Sequence, residues 1–461
     1  MDLGTSDEDG GKSSKNAPEE KSREPQVLTA KQIKKRSRTQ KMIDHNAGTI
    51  LHTIQTGEIN PIDTPVTWSG DPETLCSYNW SEDPDTNTIF VPGKPPKWTP
   101  PDLPYTLEKD KGLRPSDYNY ARDNKTPFNA MFNALSIMNP NYKFDDVDVI
   151  ADRNNLRKLL DFVSGKPNGT WRIDVYIIDN TLMFLKKDTD FWKSSSGYGG
   201  SFEKDFTSPG QGLHYATNHY RVIRYTMGPL NVVMRFEADA YYDGSDELTS
   251  SEAMYATGDQ MHRPFFNFRA AMRVRQGGQI VPMAQMAELK SKKSRPGDQK
   301  IVACSDQLWF GRTKHLFTGY YEEGTGTIEH VKYEDATEKL KNWEEAHQEN
   351  LRKLVSLLVM LKGFVKAQPP PVRCLTISRE AGPKPLVVRA LNAKPSLVSR
   401  GFYELHWGSG NSTDAGGSGG NSGPRDGQSG RGRGNNDGGT GGSSGSKKEE
   451  YDLPRRRWDR W

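Results

Sequence analysis

The chain has 461 residues, with 63 basic against 59 acidic side chains for a net charge of +4, a hydrophobic content of 33% and a mean hydropathy of −0.81. That length allows two or three domains, but the apolar content is too low for all of it to pack, so part of the chain is expected to be disordered. No apolar run approaches the roughly 18 residues of a membrane span, the widely spaced Cys76, Cys304 and Cys374 suit neither a disulfide framework nor a zinc site, and the near-balanced charge excludes a chain-wide polycation. The expectation is a soluble protein of a reducing compartment, with no membrane partner and with any nucleic-acid surface confined to a local patch.

Residues 1–46 are rich in Ser, Lys and Glu with no apolar period, and read as disordered; within them Lys31 to Lys41 carries six basic and no acidic residues, which suits a nuclear-import signal, a nucleic-acid arm or a plain solvated stretch. From about 60 to 115 the density of proline predicts an irregular strap over the core, anchored by Trp80, Trp98 and Tyr105. Phe128, Met131, Phe132, Leu135 and Met138 recur at helical spacing until Pro140, and Leu156, Leu159, Leu160 and Val163 predict a second helix with Arg153 at its start. Thr170 to Lys187 reads as a hairpin about Asp179-Asn180. A helical stripe follows at 335–366, with His347 as a packing residue, then two late strands at 375–382 and 385–391. Beyond residue 405 the chain turns to Gly and Ser, with RGRG at 431–434 and arginines beside Trp458 and Trp461: a tail able to meet single-stranded RNA loosely, or a plain linker.

The chemistry concentrates between Leu230 and Lys290. In an extended strand alternate side chains share a face, so Val232, Met234, Phe236 and Ala238 form a core face while Arg235, Glu237 and Asp239 point the other way. In MAELKSKK, Glu288 and Lys290 share a face opposite Ala287 and Leu289. Two strands that aim carboxylates at one spot, with a lysine, suit a divalent cation beside a phosphate, although E-x-D and E-x-K also occur on plain solvated strands. Glu247-Leu248-Thr249 offers a competing carboxylate closer to Asp239, but Thr249 supplies no cation two residues on, so Glu288 is preferred.

In this order of motifs the chain resembles the DXO/Rai family of RNA 5′-end decapping nucleases, within the PD-(D/E)XK superfamily. The resemblance rests on Arg153 ahead of a helix and hairpin, Gly199 to Glu203, Glu237-Ala238-Asp239, Glu288-Leu289-Lys290, and Gln307, expected on the next strand. It implies an α+β fold with a mixed-sheet PD-(D/E)XK nuclease-like core and flanking helices. It further implies Mg²⁺ or Mn²⁺ on Asp239, Glu288 and the Leu289 carbonyl, with Glu203 and Glu237 ligating directly or through water. Lys290 would hold the scissile phosphate, and Arg153 and Gln307 the RNA 5′ end. The segment from 244 to about 282 is longer than the family's loop and reads as an insertion.

The expected organisation is therefore a disordered basic segment at 1–46, one nuclease domain at 47–405 and a disordered tail at 406–461. The expected activity is metal-dependent hydrolysis at RNA 5′ ends, by decapping or pyrophosphate removal, with 5′-to-3′ trimming left open. The partners are RNA 5′ ends and, as in part of the family, a 5′-to-3′ exoribonuclease; DNA is not expected. A nuclear location is preferred over a cytoplasmic one. The alternative is a catalytically inactive RNA-binding or scaffold protein on the same fold.

Overall fold

The computed structural model describes residues 30–111, 113–115, 117–167, 169–187, 192–194, 197–244, 271–294, 304–370, 373–392 and 397–408. Helix α1 (Ala30–Asp44) and strand β1 (Ala47–Ile54) come first, then β2 (Glu73–Ser81), β3 (Asn87–Gly93), β4 (Lys97–Trp98), β5 (Tyr105–Thr106) and β6 (Leu113–Pro115). Helices α2 (Tyr118–Arg122) and α3 (Asn129–Met138) lead to β7 (Val149–Asp152), which runs straight into α4 (Arg153–Val163). There follow β8 (Trp171–Ile178), β9 (Thr181–Lys187), β10 (Trp192–Ser194), α5 (Gly199–Asp205), β11 (Thr207–Ser208), β12 (Ala216–Met227), β13 (Leu230–Ala238), β14 (Ala240–Tyr241), β15 (Met272–Gly278) and β16 (Met286–Lys293). The remainder is α6 (Ser305–Gly311), β17 (His315–Tyr321), β18 (Thr327–Asp335), α7 (Thr337–Ala346), α8 (Gln348–Lys366), β19 (Cys374–Arg379), β20 (Leu386–Leu391) and α9 (Arg400–His406).

Two large sheets organise these elements. The first has eleven strands in the order β1-β20-β19-β8-β9-β7-β13-β12-β2-β3-β15, and the second seven in the order β11-β4-β14-β16-β17-β18-β5. Most neighbours are antiparallel, but β7 runs parallel to β9 and β13, and β16 parallel to β17, so both sheets are mixed. One cluster of buried side chains packs α4, α6 and α8 against one face of the first sheet, and a second packs α3 and α9 against the other. The α+β architecture expected from the sequence is thus present.

Several local expectations are corrected. The Pro-rich stretch is no strap: β2 lies inside the first sheet between β12 and β3, with Trp80 1% and Trp98 2% exposed. Its β-forming core, Thr74 to Trp80, contains no proline; Pro61, Pro65 and Pro72 precede the strand and the others fall at 84 and beyond, in connections or at the short strands that follow. Strand β13 buries both faces: Val232, Met234 and Phe236 enter one cluster and Val233 the other, while Arg235 is held by Asp152 at 2.6 Å and lies over the Phe128 ring. Residues 30–44, placed within a disordered segment, form helix α1. Its end is tied down by buried Arg172, which donates to the carbonyls of Met42, Ile43 and His45 and pairs with Asp174 at 2.8 Å. The stripe at 335–366 is two helices, divided at His347, which stacks on Trp343 as a packing residue should. The bulk of the insertion and the glycine-rich tail lie outside the described residues.

Candidate functional site

The site forms where the chain leaves one sheet for the other. Strand β13 belongs to the first sheet and β14 to the second, and Asp239 is the single residue between them. Because β14 pairs antiparallel with β16 through Ala240↔Ala287 and Tyr241↔Met286, the register carries Asp239 opposite Glu288. The Leu289 amide donates to the Asp239 carboxylate at 3.0 Å, which fixes that carboxylate against β16. Ala287 and Leu289 turn into the core of the second sheet, so Glu288 and Lys290 face the opening as the period-2 pattern requires.

Glu288 is only 1% exposed and is met by three donors. Arg153 Nη1 approaches Oε2 at 3.2 Å, while Lys290 Nζ and Gln307 Nε2 share Oε1. Lys290 also lies 3.7 Å from Asp239 and donates to the Leu289 carbonyl at 3.1 Å. Arg153 is the first residue of α4, so the end of β7 sets it in place; its guanidinium lies over the Phe236 ring and reaches the Glu237 carbonyl at 3.4 Å. A Cβ on Gly311 would come within 2.9 Å of Arg153 Nη1, so the absence of a side chain there gives the arginine its room.

Gln307 is not on a strand as expected but in helix α6, which still directs it at Glu288. Glu237 is held by Asn218 across the β12–β13 pair. Glu203 sits in α5, whose first amides donate to Asp110 at 3.0 and 2.8 Å, and it lies near enough for its charge to act on Asp239 and Lys290. Every site residue read from the sequence therefore lies in this neighbourhood, whereas Glu247 falls outside the described residues.

Two contributors escaped the sequence reading. Arg157, one turn after Arg153 on α4, clasps Asp306 at 2.8 and 3.3 Å and positions the start of α6, hence Gln307. The i,i+4 spacing from Arg153 was the available signal. Asn218 gave none, because its role depends on the β12–β13 register.

The charges oppose one another. Burial together with the negative charges of Glu288 and Glu203 pushes Asp239 well above the ordinary carboxylate range, against the pull of Lys290. Burial also raises Glu237, in spite of Asn218 and Arg153. At Glu288 burial would act in the same direction, but Lys290 and Arg153 outweigh it and hold the group below the ordinary range. Burial would lower Lys290, yet the two carboxylates raise it.

Hard oxygen donors with unbalanced negative charge are the donor type Mg²⁺ or Mn²⁺ takes, so Asp239, Glu288, Glu203, Glu237 and the Leu289 carbonyl fit such an ion in kind. Among the described residues, no three carboxylate, imidazole or thiol groups already form a cage. Lys290 and Gln307 hold the Glu288 oxygen that an ion would need, and would have to release it.

The sheets, their crossing point and the α4–α6 wall define a mixed-sheet fold of the kind seen in Rai1 structures. Scheffersomyces stipitis Rai1 in complex with (3′-NADP)⁺ and calcium ion matches over 77% of this chain and 99% of that one, at a TM-score of 0.50 and 14% identity. S. pombe Rai1 matches over 73% and 98%, at a TM-score of 0.49 and 15% identity. The chain itself belongs to the family described as Domain of unknown function (DUF8563), whose model matches residues 48–394. No curated protein sequence matches it.

Proposed function

We propose that this protein is a divalent-metal-dependent hydrolase acting at RNA 5′ ends. The observation that carries the reading is the register that sets Asp239 opposite Glu288 with Lys290 two residues on, all at the crossing of two sheets. A cation bound there would supply an activated water and neutralise charge on phosphoryl oxygens. The chain's own groups do the rest. Lys290, once released from Glu288, presents a point charge to the scissile phosphate. Arg153 offers a planar fork to a terminal phosphate, and Gln307 can turn its amide from Glu288 to the substrate. The S. stipitis relative's dinucleotide and calcium are in keeping with such a site.

The saturation of Glu288 by three protein donors favours a second reading, an RNA-binding protein on the same fold that does not cleave. One experiment separates them: purified protein is incubated with 5′-triphosphate, capped, NAD-capped and 5′-monophosphate RNAs in Mg²⁺, Mn²⁺ or EDTA. Release of the 5′ group in metal and not in EDTA is expected. Binding without release in either metal would establish the second reading.

A further inference from the structure

We infer that the cleft between the β2–β3 turn and β15 is a subsite for single-stranded RNA downstream of the 5′ end, with Tyr215 as a base-stacking platform and Arg275 as a phosphate contact. The inference rests on the RNA reading above and names a surface that reading does not include. The cleft has a volume of about 600 Å³, and its lining includes Ser81, Thr86, Thr88, Phe90, Tyr215 and Arg275. That is enough for a nucleotide, since small-molecule sites span roughly 300–1,000 Å³.

The cleft is built rather than incidental. Buried Arg122 donates to the carbonyls of Ser81, Asp83 and Thr86 at 2.5, 2.7 and 3.0 Å, which holds the β2–β3 turn in one shape. The Glu82 amide donates to the Tyr215 carbonyl at 2.6 Å and fixes the backbone that carries the ring. Tyr215 as a residue is 74% exposed, the most exposed of the large hydrophobic residues among those described. Opposite it, parallel pairing sets Arg275 beside Phe90, and among the described residues nothing pairs with the Arg275 guanidinium. An exposed aromatic ring with an unengaged arginine across a polar cleft is the combination by which proteins hold single-stranded nucleic acid.

Position connects the cleft to the chemistry. Asn218 holds Glu237 at the site, and Tyr215 is three residues away, about 10 Å at the rise of a strand. Ala216, Thr217 and Asn218, which link the two places along the chain, are all partly exposed. The acidic side chains of Glu82 and Asp83 also line the cleft, on the β2–β3 turn beside Tyr215, and Asp83 accepts from the Asp85 amide at 2.9 Å. They repel phosphate from that side, so the RNA backbone runs along Arg275 while a base turns toward the hydroxyls of Ser81, Thr86 and Thr88. Strand β15 belongs to the long segment between Asp239 and Glu288, so that segment supplies the arginine of this subsite, while β2, β3 and the turn before β12 supply the rest.

The test measures binding of 5′-triphosphate oligouridylates of two and eight nucleotides in Ca²⁺, by fluorescence anisotropy, for the whole chain and for Tyr215→Ala and Arg275→Ala. Wild type is expected to prefer the longer RNA. Each substitution should reduce that preference by about tenfold, the scale of one stacked base or one desolvated cation contact, with an unchanged unfolding midpoint. Crosslinking of a 4-thiouridine octamer to the 210–215 segment should be lost in Tyr215→Ala. If wild type binds both lengths equally, or the variants retain its preference, the subsite is wrong while the 5′-end reading stands. If neither length binds wild type, both fall.

Discussion

Asp239 and Glu288 face each other across one strand register, yet their environments drive them in opposite directions. Mutual repulsion alone would treat the two alike and would let neither substitution cost stability. Asp239 is raised in the fold, so its contribution is present below its unfolded pKa near 4 and is lost as pH rises through the folded value. Glu288 is depressed, so its contribution is present above the unfolded value and is lost only as pH falls through the folded one. In EDTA at pH 7, Asp239→Asn should therefore raise the unfolding midpoint, with the gain shrinking toward pH 4. Glu288→Gln should lower the midpoint, because it takes from Lys290 and Arg153 the buried carboxylate they share; about 3 kcal/mol is the usual scale of such a loss. Thermal unfolding of the two variants from pH 4 to pH 8 checks both signs, and equal shifts would overturn the assignment. Activity separates differently: Lys290→Ala should reduce hydrolysis by about 10²–10³, as loss of one key electrostatic group does, with little change in the RNA concentration at half-maximal rate.

At the scale of elements, α4 and α6 form the wall that carries Arg153 and Gln307. Gly311, the last residue of α6, is where that wall leaves room for the guanidinium. Gly311→Ala should displace Arg153 from Glu288 and cut activity by about tenfold or more, while the helix itself gains from alanine over glycine. Steady-state rates with an unfolding curve test this: full activity would show that Arg153's position does not matter to the reaction. Much of this wall was legible in the sequence. The α4 stripe buries as its spacing requires, and the β8–β9 hairpin and β16 form where the local pattern puts them, although Trp171–Tyr176, Thr181–Lys186 and Met286–Leu289 are buried on both faces. The parts that were not legible depend on distant partners. Three apolar residues and an aspartate at 149–152 say nothing of β7's parallel place between β9 and β13, and Gln307's helix is too short to reveal a period. Helix α1 looked too polar to order, because its anchor, Arg172, lies far along the chain.

At the scale of the whole molecule, the site is a joint. Asp239 ends the first sheet's contribution, Glu288 and Lys290 belong to the second, and Arg153 comes from a helix packed on the first. Two sheets therefore meet through a cluster of carboxylates, and two protein cations, Lys290 and Arg153, and two side-chain amides, Gln307 and Asn218, offset their repulsion. A ligand that binds only this assembled arrangement stabilises the fold by mass action, about 4 kcal/mol at a thousand times its dissociation constant. Mn²⁺ or Mg²⁺ should thus raise the unfolding midpoint of the wild-type protein in a concentration-dependent way, and EDTA should reverse it. The rise should disappear in Asp239→Asn and Glu288→Gln, whatever their starting stabilities, because each removes a charged donor from the joint. It should persist in Tyr215→Ala, an exposed residue three positions before Asn218 and just ahead of β12. Differential scanning fluorimetry across a metal titration provides the readout. A midpoint that ignores metal in the wild type, or that rises equally in both carboxylate variants, would remove the ion from this site and leave Lys290 and Arg153 as the permanent partners of Glu288.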